Sequence, residues 1–328
     1  MTVEFSDDAQ DFVRRDWAGL VAQDPSGTFF HLPKYLKLYW EEFGEDVDLL
    51  IGFAEEAEQA AGVVALERLG NTVRFLGGTE VTDYMGPVAE RGWQEAVAKE
   101  LMAALAADGR WTHADLRGLT EASAWLPALL EAAAAQGLWV QVEEQDVAPY
   151  LALPGSWDEY LEALPSKLRH EIKRKERKLA AEPGGYRVTF ATEDTLGGDL
   201  ERFVALHRSS EGPKGKFMQP GMELFFRRLG EALLSEGVFR LAFVELNGEK
   251  VAGAIGFKHG KTFYLYNSAF DHAWRSLSPG MVLVGELIRI AIGEGCEAFD
   301  LLKGDLGYKY RFGARPRKLM RLQLARRD

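Results

Sequence analysis

Hydrophobic and polar positions along this chain alternate between strand and helix periods, and the same order of elements occurs twice. In the first half, the pattern predicts a helix over 34–43, strands over 47–53, 62–66 and 72–76, a helix over 92–107, a strand over 114–116, a helix over 123–136 and a strand from Trp139. In the second half, it predicts strands over 239–246, 251–258 and 262–269, a helix over 281–294, and strands over 298–302 and 318–324. Asn247-Gly248 is a strong signal for a tight hairpin between the first two strands of the second set.

These elements predict an α/β chain of the mixed α+β kind, with two units joined near residues 153–156. Each unit would hold a mixed, mostly antiparallel sheet flanked by helices. The stretch from Ala61 aligns with the stretch from Ala252 with one gap, which supports a tandem duplication. The predicted domains are therefore residues 1–154 and 155–328. Two helix-rich stretches, 157–181 and 196–237, precede the second sheet.

Composition limits the class of protein. A chain of 328 residues with 47% hydrophobic and 27% charged residues is long enough for two cores. The N-terminal sequence lacks a secretory signal, and the longest apolar-looking helix, 281–293, is interrupted by Glu286 and Arg289, so we expect a cytoplasmic protein without a membrane span. The single cysteine, Cys296, excludes an internal disulfide and a cysteine-based metal cluster, and no metal is expected.

Charge is distributed unevenly. The formal net charge is -11, with a balance of -17 over residues 1–155 and +6 over residues 156–328. An acidic protein is a poor candidate for DNA binding, whereas a locally basic half suits a polyanionic ligand. Residues 167–178 contain seven Lys or Arg, and Leu168, Ile172 and Leu179 form one narrow apolar stripe. This pattern predicts a surface helix whose basic side is either a solvated face or a wall beside an anion.

A candidate phosphate-binding turn lies between the strand over 262–269 and the helix that follows it. Its sequence, RSLSPGM, runs from Arg275 to Met281. The start of a helix leaves backbone N–H groups unpaired and attracts phosphate, small residues at Ser278 and Gly280 let a pyrophosphate approach, and Arg275 can add a charge-assisted hydrogen bond. An ordinary turn at the start of a helix is the alternative. The corresponding residues of the first unit, 90–93, contain no such turn.

Several short motifs along residues 28–324 carry a resemblance to a known family. They are FFHLP (29–33), FLGG (75–78), DY (83–84), SKLR (166–169), KRK (173–175), LH (206–207), LSPG (277–280), and FDLLKGD (299–305) leading into YKYRFG (308–313). With them, the chain resembles the GNAT-type acyltransferases labelled CelD/BcsL-like, which are related to the Fem peptidyltransferases. The resemblance implies two GNAT-like lobes with the active cleft in or beside the second. Two features depart from it: the sequence has no coiled-coil arm of the Fem kind, and no residue indicates a sugar.

The resemblance also implies a co-substrate, acetyl-CoA or another acyl-CoA. The GNAT signature for CoA is R/Q-x-x-G-x-G/A, which Arg275 and Gly280 fit, while Ser278 replaces the first glycine. We therefore expect CoA to bind the second unit alone. The residues predicted to contact the co-substrate are Asn267, Ser268, Arg275, Ser278, Gly280 and Met281.

Acyl transfer needs a deprotonated nucleophile, a stabilised oxyanion and a proton for the leaving thiolate. Lys309 matches the family lysine at the reacting carbonyl or its phosphate, and Tyr308 is the expected general acid, with core packing as its alternative role. Asp83 is the candidate base or amine anchor, with a turn cap as the alternative, and we expect it to approach Lys309. Tyr84 and His207 are the candidate substrate contacts, although a buried structural role for His207 competes.

The sequence thus favours an acyl-CoA-dependent N- or O-acyltransferase that acetylates an amine or hydroxyl of a small molecule or of a cell-envelope or polysaccharide precursor. A Fem-type peptidyltransferase that uses aminoacyl-tRNA is one alternative, favoured by the basic helix and disfavoured by the net charge, which makes tRNA an unlikely partner. A catalytically inactive binding protein of the same fold is another. The expected assembly is a monomer or a homodimer.

Overall fold

A computed structural model of the protein describes residues 1–14, 17–57, 59–210 and 215–327. The chain forms two units, Met1–Val147 with Arg317–Asp328, and Ala148–Pro316. The observed division differs from the predicted domains 1–154 and 155–328, because residues 148–154 belong to the second unit and the C-terminal segment returns to the first.

The first unit is built on one eight-stranded sheet. Its strands are β1 (Thr2–Ser6), β2 (Asp48–Glu56), β3 (Gln59–Leu69), β4 (Thr72–Phe75), β5 (Val88–Ala89), β6 (His113–Thr120), β7 (Trp139–Val147) and β14 (Lys318–Ala325). Its helices are α1 (Asp11–Arg14), α2 (Trp17–Gln23), α3 (Pro33–Phe43), α4 (Gln94–Ala107) and α5 (Trp125–Ala135). The strand order is β1-β2-β3-β4-β6-β14-β7, with β5 paired to β3. Only the β4–β6 pair is parallel among the described pairings.

The C-terminal strand corrects one sequence prediction. Strand 318–324 was expected to complete the second sheet, but β14 pairs with β6 and β7 of the first sheet. Leu319, Leu322 and Leu324 are buried there. The alternation of apolar and polar residues predicts that a segment is a strand, but it does not say which sheet the strand joins.

Helices α4 and α5 cover one face of this sheet. Val97, Leu101 and Leu105 recur every four residues along α4 and are all buried, as the helical period predicts. They pack with Trp111 and Trp125 in the core of the first unit.

Asp24 connects three segments of the first unit from a buried position. Its carboxylate accepts hydrogen bonds from the Ala89 amide at 2.9 Å, the Trp125 indole N–H at 2.9 Å and the Ser26 amide at 2.7 Å. Its side chain therefore ties the end of α2 to β5 and to the start of α5.

We expect Asp24→Ala to lower the free energy of unfolding by about 3 kcal/mol, because it leaves buried donors without an acceptor. Urea denaturation followed by circular dichroism measures this. The exposed Glu95→Ala is the matched control and should change stability by less than about 0.5 kcal/mol. Equal stabilities of the two variants would contradict the assigned role of Asp24.

The second unit repeats the arrangement on a six-stranded sheet. Its strands are β8 (Tyr150–Ala152), β9 (Tyr186–Phe190), β10 (Phe239–Leu246), β11 (Glu249–His259), β12 (Thr262–Phe270) and β13 (Ala298–Asp300), in the order β8-β13-β12-β11-β10-β9. Its helices are α6 (Trp157–Ala163), α7 (Ser166–Ala180), α8 (Leu196–Arg208), α9 (Pro220–Leu233) and α10 (Pro279–Gly293). Asn247 and Gly248, both at positive φ, form the predicted hairpin between β10 and β11.

The two units share a topology that confirms the predicted fold class. In each, three antiparallel strands form a meander, a helix follows, and the next strand returns parallel to the third: β2-β3-β4, α4 and β6 in the first, and β10-β11-β12, α10 and β13 in the second. Within the described residues, no helix combines the length and the apolar character needed to cross a bilayer.

Candidate functional site

The second sheet opens between two neighbouring parallel strands. Pairing of β12 with β13 stops at Tyr264 and Asp300, yet β12 continues for six more residues to Phe270. The register of β12 against β11 also shifts at this point, between Ile255 and Gly256. The edge of β12 that carries Asn267 and Ser268 is therefore left without a paired strand on the β13 side, among the strands described. A ligand could therefore approach this edge without displacing a strand.

Asn267 and Ser268, predicted to contact a co-substrate, both lie on this open stretch. Each is partly buried, and the Asn267 side-chain oxygen accepts a hydrogen bond from the Ser268 amide at 3.0 Å. This contact fixes the Asn267 side chain locally.

The predicted phosphate-binding turn immediately precedes α10. A short 3-10 helix over His272–Leu277 leads into Ser278, which adopts φ 55° and ψ 46°, the left-handed conformation. Glycine adopts this conformation at low cost, whereas other residues pay for it. Ser278 thus keeps the backbone shape that suits the glycine of the CoA signature, although its side chain departs from the signature.

The first residues of α10 differ in how their backbone amides are used. The Met281 amide donates to the Ser278 carbonyl at 3.0 Å, so it is already paired inside the turn. No backbone hydrogen bond from the Gly280 amide is present in the described part of the chain. Gly280 also packs against β12, since a Cβ there would lie 3.3 Å from the Phe270 ring. Gly280 therefore combines an unused donor with close helix–strand packing.

Cationic side chains lie on and beside this turn. Arg275 is exposed, and Lys178 at the end of α7 donates to the Ser276 carbonyl at 2.8 Å. The basic run predicted from the sequence does form a surface helix, α7, held down by Ile172 and Leu179. A groove of about 660 Å³ beside α7 is lined by three basic residues of that helix, Arg169, Lys173 and Arg177, and also by Arg289, Asp158 and Glu176.

Lys309 lies in a short 3-10 helix, Lys309–Phe312, after the loop that follows β13. It is only 3% exposed, and its ammonium donates to the carbonyls of Leu302 at 2.7 Å and Lys303 at 2.8 Å. Leu302 itself is at φ 59°, which is strained for a leucine. The Lys309 side chain therefore holds in place the loop that leads the chain away from the opening.

Tyr308 packs against the core of the second unit and is partly buried. Burial raises the pKa of its phenol to about 12, so the hydroxyl carries its proton at neutral pH. That protonation state is the one a general acid requires. The neighbouring Tyr310 instead donates to Asp305 at 2.5 Å.

His207 is completely buried in α8. Its ring lies 5.9 Å from the Phe203 ring and 6.0 Å from the Phe217 ring, measured between centroids. It occupies the position of a core residue, so its ring has no exposed surface in this conformation with which to make the predicted substrate contact.

Asp83 and Tyr84 belong to the first unit. Asp83 is partly buried, and Tyr84 is 3% exposed, with its ring centroid 5.0 Å from the Arg317 guanidinium and its hydroxyl hydrogen-bonded to Arg317. Val81 and Thr82 are buried as well, and Thr82 donates to the Gly77 carbonyl at 2.7 Å. The loop is more tightly packed than its polar, glycine-rich sequence predicts. The expected approach of Asp83 to Lys309 stays a prediction.

Sequence reasoning missed two features of the second unit. The opening beside β12 depends on where β13 stops pairing, and no local sequence signal marks that point. The contact from Lys178 to the turn depends on how α7 packs against α10, although the apolar stripe on α7 did predict that one face packs.

Residues 166–310, which include α7, the opening, the turn and Lys309, match the family model described as the acetyltransferase (GNAT) domain. The second unit contains a GNAT domain. This domain supports an acyltransferase activity for the chain, and the finer CelD/BcsL-like assignment stays a prediction. No curated protein matches the chain.

Solved structures extend the GNAT fold to both units. FemX is similar with a TM-score of 0.68 at 13% identity, covering 98% of this chain and 97% of FemX. L-PGS from Bacillus licheniformis gives 0.58 at 12% identity, covering 95% and 91%. A tandem GNAT protein from the clavulanic acid biosynthesis pathway, solved without AcCoA, gives 0.51 at 11% identity, covering 99% of each chain. At these identities the similarity establishes the tandem fold alone.

Proposed function

We propose that the protein is an acyl-CoA-dependent N- or O-acyltransferase whose second unit binds the acyl-CoA. The acceptor would be an amine or hydroxyl of a small molecule or of an envelope or polysaccharide precursor. One observation carries the proposal: the opening beside β12 lies in the same GNAT domain as a left-handed turn at the start of α10. An acyl-CoA would use the open strand edge for its extended arm and the turn for its pyrophosphate.

The contacts of the co-substrate follow from these two features. The pyrophosphate would lie against the turn, where the Gly280 amide is an unused donor and Arg275 supplies a positive charge. The pantetheine arm would pair with the open edge of β12 near Asn267 and Ser268, as an additional strand does. The thioester would then lie toward the opening. Ser278 shapes the turn in this arrangement.

The transfer step would proceed by direct attack of the acceptor on the thioester carbonyl. The acceptor loses its proton to a base, for which Asp83 is the proposed residue, and forms a bond to the acyl carbon. The C–S bond then breaks, and the CoA thiolate takes a proton from the proposed acid, Tyr308. The charge of Lys309 is proposed to stabilise the oxyanion, directly or through the loop that its ammonium holds.

A second candidate function is aminoacyl transfer from tRNA, as in the Fem peptidyltransferases that the sequence resembles. The specific observation in its favour is the groove on α7 lined by Arg169, Lys173 and Arg177, because basic grooves bind phosphate backbones. The net charge of -11 disfavours it.

Thermal unfolding with each ligand separates these functions. We expect CoA at a concentration well above its Kd to raise the melting temperature by several degrees, because a ligand that binds only the folded state stabilises it. Arg275→Gln should reduce this rise, and Arg91→Gln, at the corresponding point of the first unit, should not. A rise with tRNA and none with CoA would refute the proposal. A rise with CoA but no turnover of any acyl-CoA would indicate an inactive binding protein.

A further inference from the structure

The first unit contains a pair of opposite charges that face each other without touching. Glu67 on β3 and Arg74 on β4 are direct partners in the antiparallel register, and Arg74 is in turn the partner of Asp115 on the parallel strand β6. Side chains at such positions normally meet across the strands. Yet neither Glu67 nor Arg74 makes an ion pair or a side-chain hydrogen bond within residues 1–14, 17–57, 59–210 and 215–327.

The Glu67 side chain is largely removed from bulk water, which makes an unpaired carboxylate costly there. Glu67 is only 5% exposed and Arg74 is partly buried. Burial raises the pKa of Glu67, and the nearby Arg74 partly opposes that rise. A buried carboxylate without a hydrogen-bond donor is a strong candidate for a ligand-binding group, because a ligand can supply the missing donor.

The neighbouring acid, Asp115, has hydrogen-bond donors for its carboxylate. Asp115 accepts from Arg321 at 2.6 Å and from Arg117 at 3.0 Å. Burial raises the pKa of Asp115, but the hydrogen bonds from the two arginines outweigh burial and hold that pKa below its usual range. Asp115 therefore does not need Arg74 as a partner, and Arg74 remains available.

A cavity of about 280 Å³ lies beside the two charges and gives them a common space. It is lined by Glu67, Arg74, Thr79, Met85, Asp115 and Arg117. It lies where β4 ends at Phe75 while β6 continues to Thr120, which is the position in the first unit that corresponds to the opening beside β12. Its volume suits a molecule of about the size of an amino acid or a dipeptide.

We propose that this cavity is a second ligand site, which binds a small zwitterion through its two ends. The ligand's ammonium group would pair with the Glu67 carboxylate, and its carboxylate would pair with the Arg74 guanidinium. The ligand thus completes the ion pairs that the two strands leave open. The site uses residues of the first unit alone, and it does not depend on acyl-CoA binding to the second unit.

Calorimetric titration with three related dipeptides tests the proposal on the full chain. The probes are L-alanyl-L-alanine, its N-acetyl derivative, which lacks the ammonium, and its C-terminal amide, which lacks the carboxylate. We expect L-alanyl-L-alanine to bind, and each derivative to bind at least about tenfold more weakly, because each loses one charge-assisted contact. The absence of binding by all three probes at millimolar concentration would refute the proposal.

Two variants assign each end of the ligand to its residue. Glu67→Gln should weaken L-alanyl-L-alanine at least about tenfold but should not weaken the N-acetyl derivative further, since the group that Glu67 contacts is already absent. Arg74→Gln should show the same pattern with the C-terminal amide. If the variant and the missing ligand group each weaken binding by the same factor alone and together, the assignment of that ligand end to that residue is wrong. The exposed Glu95→Gln is the control and should bind like the wild type.

Titration of the same variants with CoA keeps this proposal separate from the proposed function. Glu67→Gln and Arg74→Gln should bind CoA as the wild-type chain does. A chain that binds dipeptide but not CoA would refute the proposed function and leave the second site standing. A chain that binds CoA but none of the dipeptides would refute the second site and leave the proposed function standing.

Discussion

Replacing Lys309 with methionine is expected to lower kcat by about a hundred- to a thousandfold, with little change in the affinity for acyl-CoA. A loss of about 3–4 kcal/mol is typical when one stabiliser of transition-state charge is removed. The affinity should hold because the proposed phosphate contacts come from the turn before α10 and not from this lysine. Steady-state kinetics with any acceptor that supports turnover measures both quantities.

The contacts of Lys309 make stability the necessary control. The variant removes the donor to the Leu302 and Lys303 carbonyls, so we also expect a lower melting temperature. Kinetics must therefore be measured well below the melting temperature of the variant. A lower melting temperature with a normal kcat would show that Lys309 only holds the loop. Weaker acyl-CoA binding with near-normal turnover at saturation would show that it holds a CoA phosphate.

Gly280→Val is the second variant with a large expected effect, and it should abolish measurable CoA binding while the chain stays folded. A Cβ at this position meets the Phe270 ring at 3.3 Å, so a branched side chain must move either the ring or the start of α10. Moving the helix start displaces the amides proposed to bind the pyrophosphate. Each charge-assisted bond contributes about 1.5–3 kcal/mol, and losing two lowers affinity by at least about a hundredfold.

Gly293→Val provides the matched control for that experiment. It makes the same chemical change at the other end of α10, at an exposed position where a Cβ meets nothing within 4 Å. We expect this variant to bind CoA as the wild type does, and circular dichroism should show both variants folded. If Gly280→Val binds CoA with unchanged affinity, the turn is not the phosphate site.

Local sequence signals predicted the elements of this fold well. Asn247-Gly248 indicated the β10–β11 hairpin, and the helical period indicated α4 and α10 to within about two residues of their observed bounds. These signals depend on turn chemistry and on side-chain period, both of which are properties of short segments. The duplicated order of elements then predicted two lobes of one fold.

Properties set by distant segments were harder to predict. The pattern of β14 indicated a strand, but only the pairing partners place it in the first sheet. Strand β9, between two predicted helical stretches, was not predicted at all. Lys309 was selected by resemblance, and its two carbonyl contacts depend on the loop that brings residues 302 and 303 back to it.

The pairing of Glu67 with Arg74 could have been predicted from the sequence, but the cavity beside them could not. The predicted strands over 62–66 and 72–76 already imply a hairpin, and counting outward from its turn pairs these two residues. That the side chains leave a cavity between them is visible only once Thr79 and Met85 are placed.

We propose that one unit of this tandem protein, the second, binds an acyl-CoA. Calorimetric titration of the wild-type chain with CoA measures both the affinity and the stoichiometry of this binding. We predict one CoA per chain, since the turn before α10 has no counterpart in the sequence of residues 90–93 of the first unit. No heat of binding, or two equivalent sites per chain, would contradict the account.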